Sequence, residues 1–173
     1  LKERGVNAAF VGTGQTGILL GETGVAVDAV VSDFITGVIE AEIDKVADNC
    51  DLIIVEGQGS ITHTAYSGVT LGLMHGAMPD MLIMCHEPAR TIDTFNYPIQ
   101  PLQNVLNLNL ELMAAFKPCR YAGISLITYS ESDESAQETV RAYNHKYKIP
   151  ADDLVRFSGR EIIDNITKLL ESN

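Results

Sequence analysis

Positive charge is scarce in this chain. Twelve Lys and Arg face 23 Asp and Glu, a net charge of −11 over 173 residues. Nucleic acid and anionic membrane surfaces both require a basic footprint, so neither is expected as a partner. A phosphate-bearing ligand would have to be held by local backbone dipoles and a few cations. Cysteine is equally sparse. Cys50, Cys85 and Cys119 are widely spaced and form no CxxC pair, which points to a reducing compartment and away from structural zinc. No apolar run approaches the roughly 20 residues of a membrane span, and no signal peptide is visible. A cytoplasmic protein is the expectation. The first residue is Leu, and Leu1–Gly5 reads as the last turn of a helix closed by a glycine. We therefore expect a strand and helix to precede this segment, and an unpaired or partner-paired edge on the Asn7–Val11 strand or its neighbour.

What is present is concentrated between Asp51 and Glu87. Leu52–Val55 is a short, β-branched apolar run, the mark of a strand buried on both faces of a parallel sheet. It delivers Glu56, with Gly57 and Gly59 flanking Gln58. Glycines there allow a sharp turn and bring backbone N–H groups close to a ligand. Met81–Met84 repeats the design and presents Cys85, His86 and Glu87. Ligands of open α/β sheets bind outside the carboxyl ends of the strands, so the chemistry is sought at these two ends.

The remaining chain alternates strand and helix. Asn7–Val11 reads as a strand feeding Gly12-Thr13-Gly14-Gln15-Thr16-Gly17. This turn has a superficial GxGxxG pattern, but a long helix is expected next and not the second strand of a dinucleotide fold. It remains a ligand-contact candidate. Asp28 to about Ala47 carries the strongest helical periodicity, with Val27, Val30, Val31, Phe34, Ile35, Val38, Ile39, Ile43 and Val46 on one face. Gly37 on another face would permit a close approach. Helices are expected over Ser67–Gly76, Leu102–Phe116, Ser132 or Asp133 to Tyr147, and Gly159–Leu170. Strands are expected over Leu82–Cys85, Ala122–Ile127 and, at an edge, Leu154–Phe157. The polar Pro88–Pro101 stretch, with Arg90, Asp93 and Tyr97, is too long for a mere connection. The result is a single three-layer α/β domain with a mainly parallel sheet.

Each candidate has an ordinary alternative. Glu56 is costly at a buried strand end unless something satisfies it, and that something is a ligand or its own loop. His63 and Tyr66 can move protons or merely cap and cover the loop. Arg90 has the fork for a carboxylate or phosphate, or for a surface ion pair. No spacing supports a transition-metal site at Glu56, His86 and Glu87. Cys85 is expected to be a buried thiol, not a nucleophile. His75 suits the carboxyl end of its helix.

Val55-Glu-Gly-Gln-Gly-Ser60, Ala65–Leu73 with His75-Gly76, and Cys85-His-Glu-Pro-Ala-Arg90 resemble the D-glutamate N-acetyltransferase-like family, long catalogued as a P-loop domain of unknown function. Ala9–Ile18, Val27–Phe34 and Tyr97-Pro98 resemble it too. More distantly the chain is similar to dethiobiotin synthetase, where a Glu-Gly-x-Gly strand end faces the nucleotide. The resemblance implies a P-loop-type fold and transfer of an acetyl group from acetyl-CoA to the amine of a D-amino acid such as D-glutamate. Family members carry a preceding small α/β domain and a Walker-type loop, whereas no GxxxxGK[ST] occurs here. Under this reading Glu56, His63 and Tyr66 form the catalytic set. Arg90, His86, Glu87, Gln58 and Ser60 bind substrate. Gly14, Gln15, Thr16, Gly57 and Gly59 line the cosubstrate. The alternatives are an ATP- and Mg²⁺-dependent ligase or phosphotransferase, with Glu56 holding the metal through water, and a non-catalytic nucleotide-sensing domain. A small-molecule substrate and a homo-oligomer complete the expectation.

Overall fold

The computed structural model describes residues 1–21 and 23–171. The chain divides after Pro79 into two compact units, the second beginning at Asp80. It is an α/β fold in which, among the described residues, the ladders between strands are parallel, with one isolated antiparallel bridge between Ile92 and Pro98.

The first unit contains β1 (Ala8–Gly12), α1 (Gln15–Leu20), β2 (Thr23–Gly24), α2 (Ile35–Ala47), β3 (Leu52–Val55) and α3 (Ser67–Ala77). Its sheet runs β2-β1-β3, with Val11 beside Val55 and Gly12 beside Gly24. On its other side β3 has no ladder partner among the described residues. The core is built from Val27, Ile35, Ile39 and Leu73, with Val55 and Val69 packed against it. The expected 28–47 helix begins late. Val27–Ala29 and Ser32–Phe34 are single 3₁₀ turns, and Val31 and Phe34 are exposed instead of inward. The close approach expected of Gly37 occurs elsewhere. A Cβ on Gly37 would meet nothing within 4 Å, whereas one on Gly76 would lie 2.5 Å from the Thr36 carbonyl oxygen. The glycine of α3, not that of α2, lets the two helices close.

The second unit contains β4 (Met81–His86), α4 (Leu102–Ala114), β5 (Arg120–Leu126), α5 (Asp133–Tyr147), β6 (Ala151–Asp152) and α6 (Arg160–Glu171), with strand order β4-β5-β6. Leu102, Leu106, Ile124, Leu126 and Ala151 form its core. The helix expected over Leu102–Phe116 ends at Ala114, and Phe116 is half exposed beyond it. Ser132 caps α5 by accepting the Ser135 N–H, as its residue type predicts. The edge strand expected at Leu154–Phe157 is absent; the strand is Ala151–Asp152. Asp153 Oδ1 accepts the N–H groups of Val155 and Arg156 at 3.0 and 3.1 Å, which turns the chain where the apolar letters suggested extension. Among the described residues no helix is long and apolar enough to cross a membrane.

Candidate functional site

Glu56 leaves the sheet immediately after β3, and its carboxylate reaches the glycine turn after the neighbouring strand β1. Glu56 Oε2 accepts the Thr13 N–H at 2.8 Å and the Gly14 N–H at 2.9 Å. The Thr13 hydroxyl donates back to the Glu56 carbonyl oxygen at 2.9 Å, and Gln58 Nε2 donates to Thr13 Oγ1 at 3.2 Å. Parallel pairing of Val11 with Val55 brings together two loops more than 40 residues apart in sequence. Gly17 completes the fit, because a Cβ there would overlap Glu56 Oε2. Thr13 is fully buried. The other carboxylate oxygen, Glu56 Oε1, has no hydrogen-bond partner among the described residues.

This arrangement corrects the reading of the glycine turn. No long helix follows it directly; α1 spans six residues and leads to the two-residue strand β2, which pairs with β1. The turn is fastened from the side by Glu56: Gly14 donates to it and Gly17 leaves room for it, whereas Gly12 makes room for the backbone of Gly17 and Ile18. Gly14 is part of the cluster, while Gln15 and Thr16 are exposed on the first turn of α1.

Downstream of Glu56 the loop is tied mainly to itself. Gly59 takes φ +59°, and a Cβ on it would lie 2.6 Å from Tyr66 Cβ, so only glycine fits there. Gly57 is exposed and open. The Thr70 hydroxyl lies within 2.6 Å of the Gln58 carbonyl oxygen, anchoring the loop to α3. Ser60 and Thr62 share hydroxyl contacts at 3.2 Å. His63 stacks on Tyr66 at 4.6 Å between ring centroids, and His63 Nδ1 accepts the Ala65 N–H at 3.1 Å. With Nδ1 accepting, Nε2 is the ring nitrogen that carries a proton.

The second unit carries His86, Glu87 and Arg90. His86 Nε2 lies 3.1 Å from the Tyr143 hydroxyl. Burial pushes the His86 pKa down, against the pull of Glu87. Arg90 is exposed. Its Nε donates to the Ile92 carbonyl oxygen at 3.2 Å, and its guanidinium makes no ion pair among the described residues. Cys85 is exposed, not buried as expected. Local desolvation of its sulfur nevertheless pushes the thiol pKa up, the opposite of an activated nucleophile. His75 lies in the last turn of α3. Among the described residues, no three His, Cys, Asp or Glu side chains converge to hold a metal.

Two members of the Glu56 cluster, Thr13 and Gly17, were read in the sequence only as part of the glycine turn. The signal available was the glycine turn itself, but the partner that explains it lies on another strand.

Residues 1–163 match a family described as a domain of unknown function, the DUF1611_C P-loop domain. The chain belongs to this P-loop domain family. It is similar to a D-glutamate N-acetyltransferase of Tritonibacter scottomollicae, 40% identical over 168 residues, covering 95% of this chain and 50% of the relative. A D-glutamate N-acetyltransferase of a Pseudoalteromonas species is 34% identical over 169 residues, covering 96% and 51%. The crystal structure of a DUF1611 family protein from Anabaena variabilis ATCC 29413 superposes with a TM-score of 0.91 at 34% identity, covering 96% of this chain and 50% of that one. The chain thus spans about half the length of the curated relatives it matches. The family resemblance read in the sequence agrees with these matches.

Proposed function

We propose that the protein of which this chain is part transfers an acetyl group from acetyl-CoA to the amine of a D-amino acid, D-glutamate being the substrate that the two named relatives suggest. The observation that carries this reading to particular atoms is the divided Glu56 carboxylate. One oxygen is fixed by two backbone N–H groups, and the other has no hydrogen-bond partner among the described residues. A carboxylate held this way is positioned and still has an acceptor to offer, as a general base requires.

In the reaction, an ammonium substrate first gives a proton to Glu56. The free amine then attacks the thioester carbonyl carbon. A C–N bond forms, the C–S bond breaks, and nitrogen loses a second proton. Of the two protons, one goes to the departing thiolate and one to solvent. The oxyanion requires N–H donors, a role assigned to the backbone around Gly57 and Gly59. Tyr66 and His63, in the same loop, are the side chains assigned to proton transfer. Arg90, which belongs to the second unit, is read on its own as a fork for a carboxylate.

The description of the family as a P-loop domain favours a second reading, an ATP- and Mg²⁺-dependent ligase or phosphotransferase. Calorimetry of the full-length protein with acetyl-CoA and with ATP–Mg²⁺, together with release of free thiol on adding D-glutamate, separates the two. Acetyl-CoA binding with amine-dependent thiol release is expected. Binding of ATP–Mg²⁺ alone, without thiol release, would overturn the acetyltransferase reading.

A further inference from the structure

The sheet of the first unit has one covered face and one bare face. Side chains alternate across a strand. Val11 and Val55, paired in register, therefore share one face, and Phe10 and Ile54, paired one residue earlier, share the other. Val11 is fully buried, and Val55 packs into the core formed by Ile35 and Ile39 of α2 and Leu73 of α3. Phe10 and Ile54 are 36% and 39% exposed. On their side lies α1. Gly12 points the same way as Phe10, and a Cβ on it would lie 2.5 Å from the Gly17 carbonyl carbon and the Ile18 nitrogen. At the far end of the helix, a Cβ on Gly21 would lie 3.1 Å from Phe10 Cδ1. Six residues make only about 9 Å of helix. Thus α1 closes over Gly12, touches one side of Phe10, and leaves Phe10 and Ile54 open among the described residues. Its last two residues, Leu19 and Leu20, are themselves 84% and 80% exposed.

Such a face does not match the strands that make it. Parallel sheets are covered on both faces, which is why their strands are apolar throughout. Ala8-Ala-Phe-Val11 and Leu52-Ile-Ile-Val55 have no polar side, whereas a strand with one face in water would alternate. We propose that the Phe10–Ile54 face seats an amphipathic helix from the part of the full-length protein that lies outside this chain. The two curated relatives have the length to supply one, since the matched 168 and 169 residues are 50% and 51% of them. The occupant is a helix because crossovers between parallel strands lay helices on the sheet faces, and because a helix satisfies its own backbone where it is buried. Its apolar residues, three and four apart, pack on Phe10 and Ile54, and Leu19 and Leu20 of the adjoining α1 offer two more apolar side chains. A second copy of this chain is disfavoured there by charge, because it would bring together two chains of net charge −11. The inference is independent of the reaction the protein carries out.

The test is photo-crosslinking in the full-length protein. The photoreactive p-benzoylphenylalanine is placed at Phe10 and, separately, at Ile54, and the crosslinked peptides are mapped by mass spectrometry. Mixing isotope-labelled and unlabelled copies before irradiation separates crosslinks within one polypeptide from crosslinks between copies. From both positions the expected target is one segment of the same polypeptide, outside these 173 residues, with apolar residues at three- and four-residue spacing. Crosslinks confined to residues of this chain, mixed-isotope crosslinks between copies, a target with strand-like alternation, or no crosslink to protein would each overturn the proposal. Hydroxyl-radical footprinting of the unsubstituted full-length protein gives a second readout that needs no variant. A covered Phe10 should lose nearly all of the oxidation rate it shows in the denatured protein. A native rate in proportion to its 36% exposure would show a bare face and overturn the proposal as well.

Discussion

Each unit of the molecule holds a carboxylate against backbone N–H groups near the end of a strand, and the two are finished differently. In the second unit Asp153 is 2% exposed and both its oxygens are saturated. Oδ2 accepts the Thr128 N–H and hydroxyl at 3.0 and 2.6 Å, and Oδ1 accepts the Val155 and Arg156 N–H groups. The Arg156 guanidinium closes the network on the Thr128 and Glu131 carbonyl oxygens at 2.9 and 2.8 Å. In the first unit Glu56 has the same kind of backbone contact on one oxygen and none on the other. Buried polar networks are satisfied when their work is structural. Among the described residues no buried side-chain polar atom is left without a partner, so the second oxygen of the half-buried Glu56 is reachable from outside. Asp153 is closed on both oxygens, and Glu56 is open on one.

The comparison can be broken most sharply at its closed end. Asp153→Asn puts an amide N–H₂ against groups that already donate, and should cost about 3–5 kcal/mol in denaturant unfolding. Stability unchanged by this substitution would remove the contrast. The same network sets an acid limb. Burial alone would raise the Asp153 pKa, but the Thr128 hydroxyl and the N–H groups of Thr128, Arg156 and Val155 outweigh it and hold the value below the ordinary one. A depressed folded pKa contributes stability that is present above the unfolded value of about 3.9 and lost as pH falls through the folded one. Unfolding titrated with acid should steepen below about pH 4, and Asp153→Asn should flatten that limb.

Gly17→Ala is next in size. Its added Cβ lands on Glu56 Oε2, so the variant should lose about 1–3 kcal/mol despite alanine's better helix propensity. Because the carboxylate must move, acetyl transfer should fall further than stability does; equal falls would make the turn a packing feature only. Arg90→Lys should raise the KM for a carboxylate substrate by about tenfold and leave Tm unchanged, since lysine lacks the fork. An unchanged KM would return Arg90 to the solvated surface. The smallest effect is expected at Tyr143. Tyr143→Phe removes the partner of His86 Nε2 and should cost about 0.5–1.5 kcal/mol, read together with the His86 titration by NMR. No change in either would show that the contact carries no weight.

Much of this was legible in the letters. The Leu52–Val55 strand, its delivery of Glu56 and the Ser132 cap follow from residue type and local order. The failures share one physical cause, which is tertiary partners overriding local pattern. Val27, Val30 and Val31 have helical spacing, yet the chain there makes 3₁₀ turns and the α-helix starts only at Ile35. Leu154–Phe157 looks like a strand, but the Asp153 carboxylate takes the N–H groups a strand would need. Gly14 and Gly17 were visible as glycines, but their purpose depends on a carboxylate some 40 residues away. Sequence order does not reveal which strand stands beside β1. Parallel pairing does, and with it come Thr13, the Gln58 amide and the orientation of Glu56.

The central claim is that Glu56 is held by its loop but not consumed by it. Glu56→Gln can keep its amide oxygen on the Thr13 and Gly14 N–H groups while the other position loses its charge. The most direct measurement is Tm and kcat for acetyl transfer on the same full-length Glu56→Gln preparation, with Asp153→Asn as the structural reference. The account predicts a Tm close to wild type and a kcat lower by about 10²–10⁴, with acetyl-CoA binding retained. A Tm that falls as far as that of Asp153→Asn, or a kcat near wild type, would contradict it.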